Sequence, residues 1–336
     1  MKRLSNNTPG PGLTRSPERG GGDAVLLEYS GCTEVGKARP NNEDALLAGT
    51  GRDGRLFAVA DGMGGHEAGE VTSFLAVATL EGLWPDDPLV GAIRRADQTI
   101  FACRDDGEFA GMGTTVVALR FRENGFREGD AEYSLEAEVA HVGDSRVYLL
   151  RAGRFCRLTE DHSVAAELVR SGAMASTRVA VHPFGNALTR SLGTGTASVG
   201  RTTFGAWPGD RILLCSDGLS DAVAEEEIIR VLERFPGDPE KAAHGLVTAA
   251  LEVGGPDNVT VVVVDLKDRG SASPSPAGAP DNEPCGARHS TRRRSVSDPA
   301  FGRSGGDYRS EVRGEGAVSR KLRRTAYGLL DILRRR

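Results

Sequence analysis

Acidic residues recur at the turns of this chain in a pattern that could hold a cation. Asp61 opens Asp61-Gly62-Met63-Gly64-Gly65-His66, directly after the apolar run Leu56–Ala60. Beyond it, from Glu67 to Leu83, the residues Ala68, Val71, Phe74, Leu75, Ala78 and Leu83 recur at helical spacing. The stretch therefore reads as strand, glycine turn and helix, with a carboxylate at the strand's C-terminal lip. Its glycines let the backbone bend tightly and bring carbonyl oxygens close to whatever Asp61 holds. A phosphate-cradling loop would offer a lysine and Ser/Thr at the helix start. Here the charged group is acidic, so the natural ligand is a cation. Taken alone, the stretch fits an ordinary Asp-Gly turn equally well.

The arrangement is repeated. Asp61, Asp144, Asp217 and Asp257 each occupy an Asp-Gly, Gly-Asp or Pro-Asp turn at a strand edge, and Glu43, Asp44 and Asp221 lie beside such turns. Two like charges about 4 Å apart repel by about 1 kcal/mol in water and about 4 kcal/mol at an effective dielectric of about 20. If these lips meet, the cluster requires divalent cations or raised pKa values. All-oxygen ligation without a Cys/His set favours Mg²⁺ or Mn²⁺ over zinc. Two such ions about 3.5–4 Å apart can activate a shared water and clamp a phosphoryl group. The residues by themselves leave a second reading open, in which each is an independent turn Asp.

The elements that must position these acids run in blocks. Strands are expected at Val25–Cys32, Leu56–Ala60, from Gly111 through Leu119, and at Ile212–Cys215 and Val259–Leu266. Leu135–Val142, Arg146–Leu150 and Phe155–Leu158 follow at hairpin-like spacing, with Gly143-Asp144-Ser145 as a tight turn between the first two. Helices are expected at Glu67–Leu83, Leu89–Cys103 (with Ile93, Ala96, Ile100 and Phe101 on one face), Asp161 to about Arg170, Glu225–Glu233 and Pro239–Val253. Ser171–Leu188 reads as an irregular surface flap. Because strands and helices do not alternate strictly, a doubly wound parallel sheet is excluded. An α+β fold fits the order better: a four-layer α-β-β-α sandwich of two antiparallel sheets flanked by helices.

The 336 residues carry a net charge of −5, which hides an asymmetry. Residues 1–22 hold four basic and one acidic residue, residues 269–336 fifteen and seven, and the intervening core 23 and 39. An acidic core argues against nucleic acid as its partner and suits cation binding. The expected organisation is a disordered arm at 1–22, a catalytic domain at 23–268, a disordered Ser/Pro/Gly/Arg-rich linker at 269–317 and a basic amphipathic helix at 318–336. The five cysteines are widely spaced with no Cys-x-x-Cys, and read as thiols in a reducing compartment. Residues 1–22 lack the apolar core of a signal peptide. No apolar run approaches the roughly 20 residues that span a bilayer. The expected location is cytoplasmic.

Read together, the motifs resemble the metal-dependent protein Ser/Thr phosphatase family, type 2C, in its bacterial form. They run in family order across nearly all of 23–267: Arg39-Pro40-Asn41-Asn42-Glu43-Asp44, the Asp61–His66 stretch, Gly113-Thr114-Thr115, Gly143-Asp144-Ser145-Arg146, Leu158-Thr159 with Asp161-His162, Leu188–Gly193, Ser216-Asp217-Gly218-Leu219 with Asp221, and Asp257-Asn258. Each is short and weakly specific; jointly they are specific.

The resemblance implies hydrolysis of phosphoserine and phosphothreonine by a metal-activated water, opposing bacterial Ser/Thr kinases. It implies two Mn²⁺ or Mg²⁺ ions, with a third in bacterial members. Asp61 resembles the carboxylate that bridges two ions, Asp217 and Asp257 the other ligands of the first, and Glu43 with the Gly62 carbonyl those of the second. Asp144, Asp217 and Asp221 match the third site. Asp44 matches the acid that orients metal-bound water, and Arg39 the guanidinium that grips phosphate.

One departure concerns the leaving-group proton. Eukaryotic members carry His where this chain has Met63, which leaves His66, His162 or a metal-bound water as donor; for both histidines a structural role is the alternative. For Thr114 and Thr115 a strand role suffices, and for Arg190 a structural ion pair. A catalytically silent binding protein on the same fold should have lost metal carboxylates, and none of the matched acids is missing.

The end of the chain carries a stripe of Val318, Leu322, Ala326, Leu329, Leu330 and Leu333 among Arg and Lys. Two readings stand for it: a helix lying on an anionic membrane surface at the inner face, and a solvated or partner-docked helix. Arg292–Ser297 resembles a basophilic kinase site.

Overall fold

The computed structural model describes residues 25–50, 54–64, 67–83, 88–103, 111–123, 135–175 and 187–268. All of them fall in the first of two compact units, 1–288; the second, 289–336, contains none. The expected arm, linker and basic helix lie outside the described residues, as do Gly65, His66, Cys285, the Arg292–Ser297 motif and residues 176–186 of the expected flap.

Two antiparallel sheets form the centre. One contains β1 (Val25–Glu34), β11 (Val259–Asp268), β10 (Arg211–Cys215), β7 (Arg146–Arg151) and β8 (Arg154–Arg157), in that spatial order. The other contains β2 (Asp44–Thr50), β3 (Leu56–Met63), β5 (Val116–Glu123), β6 (Leu135–Val142) and β9 (Gly200–Ala206), with the short β4 (Gly113–Thr114) added to the end of β3. Helices α1 (Glu67–Gly82) and α2 (Leu89–Cys103) cover the second sheet, and α5 (Glu225–Arg234) and α6 (Pro239–Glu252) the first. The α3 helix (Val164–Arg170) and the single turn α4 (Asp217–Ser220) lie in connections.

This is the expected four-layer α-β-β-α sandwich, and β11 shows why the sequence folds this way. Its run Val259–Leu266 is buried throughout, which requires cover on both faces of the sheet. Val262, Val264 and Leu266 meet Val59, Leu119 and Val139 of the opposite sheet, while Val261 and Val263 pack beneath Ile228, Leu232 and Leu246 of α5 and α6. Tyr29 and Phe57 lock the sheets together edge to face, with ring centroids 5.2 Å apart.

Several expectations are corrected. The β2 and β9 strands were not anticipated, since Asp44–Thr50 and Gly200–Ala206 are rich in Gly, Ala and Thr rather than in large apolar residues. On α1, Phe74 is exposed while Ala76, Val77 and Leu80 are buried, so the packed face is broader than the expected stripe and differently placed. Phe101 on α2 is likewise exposed. The α3 helix starts at Val164 behind the N-cap Ser163; Asp161 is engaged instead by Arg146 and Arg157. Cys32 and Cys215 are free thiols, whereas Cys156 is disulfide-bonded.

The correction with most consequence concerns Gly143-Asp144-Ser145. It is not a hairpin turn, because β6 and β7 belong to different sheets. The tripeptide carries the chain across the seam between the sheets and so delivers Asp144 to their common edge. Gly143 permits the crossing: its φ is +103°, and a Cβ there would stand 2.6 Å from Thr115 Cβ. Gly143→Ala should therefore destabilise the fold by about 2 kcal/mol or more. Urea denaturation followed by circular dichroism measures this, and an unchanged midpoint would contradict it.

Candidate metal centre

The acidic turns meet at one end of the sandwich because of strand direction. Asp61 lies two residues before the end of β3 and stands opposite Asp44, the first residue of β2. In the other sheet Asp217 lies two residues after β10, and Asp257 two residues before β11, the neighbour of β10. Asp144 comes from the crossing between sheets. A cleft of about 880 Å³ opens here, lined by Glu43, Asp61, Gly62, Asp144, Asp217 and Asp257 together with Arg39 and Met63. Its remaining wall includes Leu188 and Ser191. Two of the expected residues stand apart: Asp44 does not line the cleft, and Asp221 is 42% exposed.

A web of hydrogen bonds holds these acids. Thr115 N–H and Thr114 Oγ1 both donate to the Asp61 carbonyl, each at 2.8 Å. The Asp61 N–H donates to Thr115 Oγ1, which is 2.7 Å from Ser145 Oγ beside Asp144. Ser216 Oγ donates to Asp44 Oδ2 at 2.9 Å and accepts from Thr260 N–H. Asn258 binds the loop that carries Arg39 and Glu43: its Nδ2 donates to the Val35 and Asn41 carbonyls, and its Oδ1 accepts from Glu43 N–H at 2.8 Å. Glu43 also packs against α1 where Gly69 leaves space; a Cβ at Gly69 would come 2.2 Å from Glu43 Oε2. The positioning roles of Thr114, Thr115, Ser216 and Asn258 went unassigned at the level of sequence. For Ser216 and Asn258 the available signal was their position next to Asp217 and Asp257; Thr114 and Thr115 adjoin no acid.

Electrostatically the centre is under strain. Burial, reinforced by Asp217 and Asp44, pushes Asp61 well above the usual carboxylate range. Asp217 is also raised, chiefly by burial. Burial lifts Asp44 to about 7. Burial and then Asp217 lift Asp144 to about 8, and the same two causes lift Asp221 to about 6. Arg39 Nη2 donates to Asp257 Oδ2 at 2.7 Å, and that carboxylate in turn raises the guanidinium pKa.

The donor set fits a hard divalent cation. All candidate ligands are oxygens, and one of them, the buried Asp217 Oδ1, has no hydrogen-bond partner, as is also true of Oδ1 of the neighbouring Asp44. Among the described residues, no three His, Cys, Asp or Glu side chains stand at the spacing of a closed cage.

His162 does not line the cleft. It stacks on His141 with centroids 4.7 Å apart, and Gly143 N–H donates to its Nδ1. Burial first, then His141 and Arg190, hold its pKa down to about 3, so the ring is neutral and braces the Asp144 crossing. Arg190 meets His162 Nε2 at 3.2 Å rather than forming the expected pair with an acid among the described residues.

The sequence profile described as Protein phosphatase 2C matches residues 37–246. The chain belongs to the protein phosphatase 2C family. It is 40% identical over 265 residues to the serine/threonine protein phosphatase PstP of Mycobacterium tuberculosis, an alignment covering 76% of this chain and 48% of that protein. The chain thus spans about half the length of that relative. It is 33% identical over 256 residues to the protein phosphatase PhpP of Streptococcus pneumoniae, covering 72% of this chain and 98% of that one. Among solved structures, the PstP catalytic domain in complex with two manganese ions superposes with a TM-score of 0.62 at 38% identity, covering 73% of this chain and all of that one.

The raised carboxylates predict a linkage between pH and metal. Asp44, Asp144 and Asp221 hold protons in the folded chain that the unfolded chain loses above about pH 4. Their stabilisation is complete below that value and is lost as pH rises through about 6 to 8. A divalent cation replaces the protons. Mn²⁺ should therefore raise the melting temperature of EDTA-treated protein more at pH 8 than at pH 5, as read by differential scanning fluorimetry. An equal or larger gain at pH 5 would contradict this.

Proposed function

We propose that this chain hydrolyses phosphoserine and phosphothreonine in phosphorylated proteins, opposing Ser/Thr kinases. The observation that carries this reading is the convergence of five acidic residues from both sheets on one cleft that also presents Arg39. Asp61, Asp217 and Asp257 would hold one ion; Glu43, Asp61 and the Gly62 carbonyl a second; and Asp144, Asp217 and Asp221 a third. When bound, Mn²⁺ or Mg²⁺ polarises the phosphoryl oxygens and lowers the pKa of water.

The chain's own residues do the rest. The planar fork of Arg39 suits paired phosphate oxygens, and its hold on Asp257 is the contact that phosphate binding must share or replace. Asp44, fixed by Ser216 through Oδ2, keeps a buried Oδ1 without a hydrogen-bond partner, and this is the oxygen that would orient water at the centre. Met63 has no proton to offer the leaving group.

Turnover of p-nitrophenyl phosphate and of a phosphothreonine peptide should vanish in EDTA and return with Mn²⁺. Asp61→Asn should lower kcat by about 10³-fold or more, because the change weakens the ligand shared between ions. Full activity in excess chelator would overturn the reading.

The basic stripe at 318–336 is assigned to location rather than chemistry, since every matched motif precedes Lys267. Two readings stand for it, a solvated or partner-docked helix and an anionic membrane surface, to which each nearby basic residue would contribute about 1 kcal/mol. Among the described residues no helix is long and apolar enough to cross a membrane. A chain ending at Lys267 should turn over p-nitrophenyl phosphate at a near-unchanged rate and lose salt-sensitive binding to phosphatidylserine vesicles. Loss of that turnover would place the tail within the catalytic fold, and full-length protein that ignores vesicles at low salt would exclude the membrane.

A further inference from the structure

The middle of α2 carries a carboxylate that the metal chemistry does not use. Asp97 lies on the buried face with Ile93, Ala96 and Ile100 and is only 1% exposed. A charge on an apolar face is costly unless it is fully hydrogen-bonded. Asp97 meets that requirement through main chain alone. Its Oδ1 accepts from the N–H groups of Gly193, Thr194 and Gly195 at 2.7, 2.9 and 3.1 Å, and its Oδ2 accepts from Ala197 N–H at 2.8 Å. A single side chain thus sets the course of the loop that follows Leu192.

That loop continues backward into the cleft. Leu192 N–H donates to the Thr114 carbonyl at 2.8 Å, and Thr114 Oγ1 donates to the Asp61 carbonyl at 2.8 Å. Ser191, the next residue back, lines the cleft with Leu188. Gly113 lets this segment lie close, since a Cβ there would come 2.8 Å from the Leu192 carbonyl.

We infer that Asp97 is a positioning residue for protein substrates: by gathering the Gly193–Ala197 amides it holds the Leu188–Ser191 wall against which the polypeptide flanking a phosphorylated residue docks. The inference rests on the phosphatase reading and adds to it the part of the site that tells a phosphoprotein from a small phosphate ester. A small aryl phosphate needs Arg39 and the acidic centre but little of that wall. Asp97 also lies away from the ligands, so metal uptake should not depend on it.

The experiment compares wild type with Asp97→Asn on two substrates, a phosphothreonine peptide and p-nitrophenyl phosphate, in saturating Mn²⁺. The amide keeps one acceptor oxygen but sets an NH₂ against an N–H donor. KM for the peptide should rise about tenfold, the scale of one lost charge-assisted hydrogen bond. Turnover of p-nitrophenyl phosphate should stay within about twofold, and Mn²⁺ affinity by calorimetry should be unchanged. Gly195→Ala offers an independent disturbance: φ is +79° there, and the new Cβ would come 3.1 Å from the Phe101 ring, so the loop is strained without altering the carboxylate. It should reproduce the peptide-specific rise in KM, and it decides the matter should Asp97→Asn fail to fold. Equal loss on both substrates, or an unchanged peptide KM in a folded variant, overturns the inference. Wild type inactive on both substrates would instead overturn the phosphatase reading.

Discussion

Mutual repulsion among carboxylates at the joint of two sheets is the constraint on which this molecule depends. Asp61, Asp144, Asp217 and Asp257 share one cleft, with Asp44 opposite Asp61 in the β2–β3 register. Removed from water, Asp44, Asp61, Asp144 and Asp217 keep protons above their ordinary range. A protein tolerates such a site only if the surrounding structure prevents the acids from splaying apart. The two sheets, locked by an interior that includes Tyr29, Phe57, Val262 and Val264, supply that rigidity.

Asp61, Asp44 and Glu43 are held through the backbone or through one oxygen, whereas both oxygens of Asp257 are engaged, Oδ2 by Arg39 and Oδ1 by the Asn258 N–H. The Asp61 carbonyl is bound by Thr114 and Thr115, Asp44 Oδ2 by Ser216, and the Glu43 N–H by Asn258. Neutral hydroxyls and amides serve here instead of lysines or arginines, which would neutralise the carboxylates and remove their affinity for a cation. Arg39, which contacts Asp257, and Arg146, 3.9 Å from Asp221, are exceptions. Elsewhere the fold does use buried ion pairs, as between Arg211 and Asp265 or Arg120 and Glu138, away from the cleft residues. The separation keeps fully paired charges out of the place where unpaired ones are needed.

Much of this was legible in the residues. The Asp-Gly and Gly-Asp turns after apolar runs pointed to carboxylates at strand ends, and the continuous apolar run of β11 required a sheet covered on both faces. Harder to read were elements whose burial comes from neighbours rather than from their own pattern. The β2 and β9 strands carry few large apolar residues among Gly, Ala and Thr, and α1 is packed by both β3 and α2, which blurs its periodicity. Asp97 shows the same limit: a lone acid on an apolar helix face is visible in sequence, but the four amides that satisfy it lie about a hundred residues away.

By itself, the sequence determined the class of chemistry, because acid residues beside tight turns can offer only hard oxygen ligands, and it determined a layered fold, because apolar runs of that length need two covered faces. Tertiary structure decided which acids meet. Gly143-Asp144-Ser145 could have been a hairpin turn; only the assignment of β6 and β7 to different sheets brings Asp144 to the seam. It also decided that Asp44 lies off the cleft surface, that Asp221 is exposed and that His162 is a neutral brace. The physical reason is that local propensity acts over a few residues, whereas burial and charge–charge distance depend on strands that are far apart in the chain and adjacent only after folding.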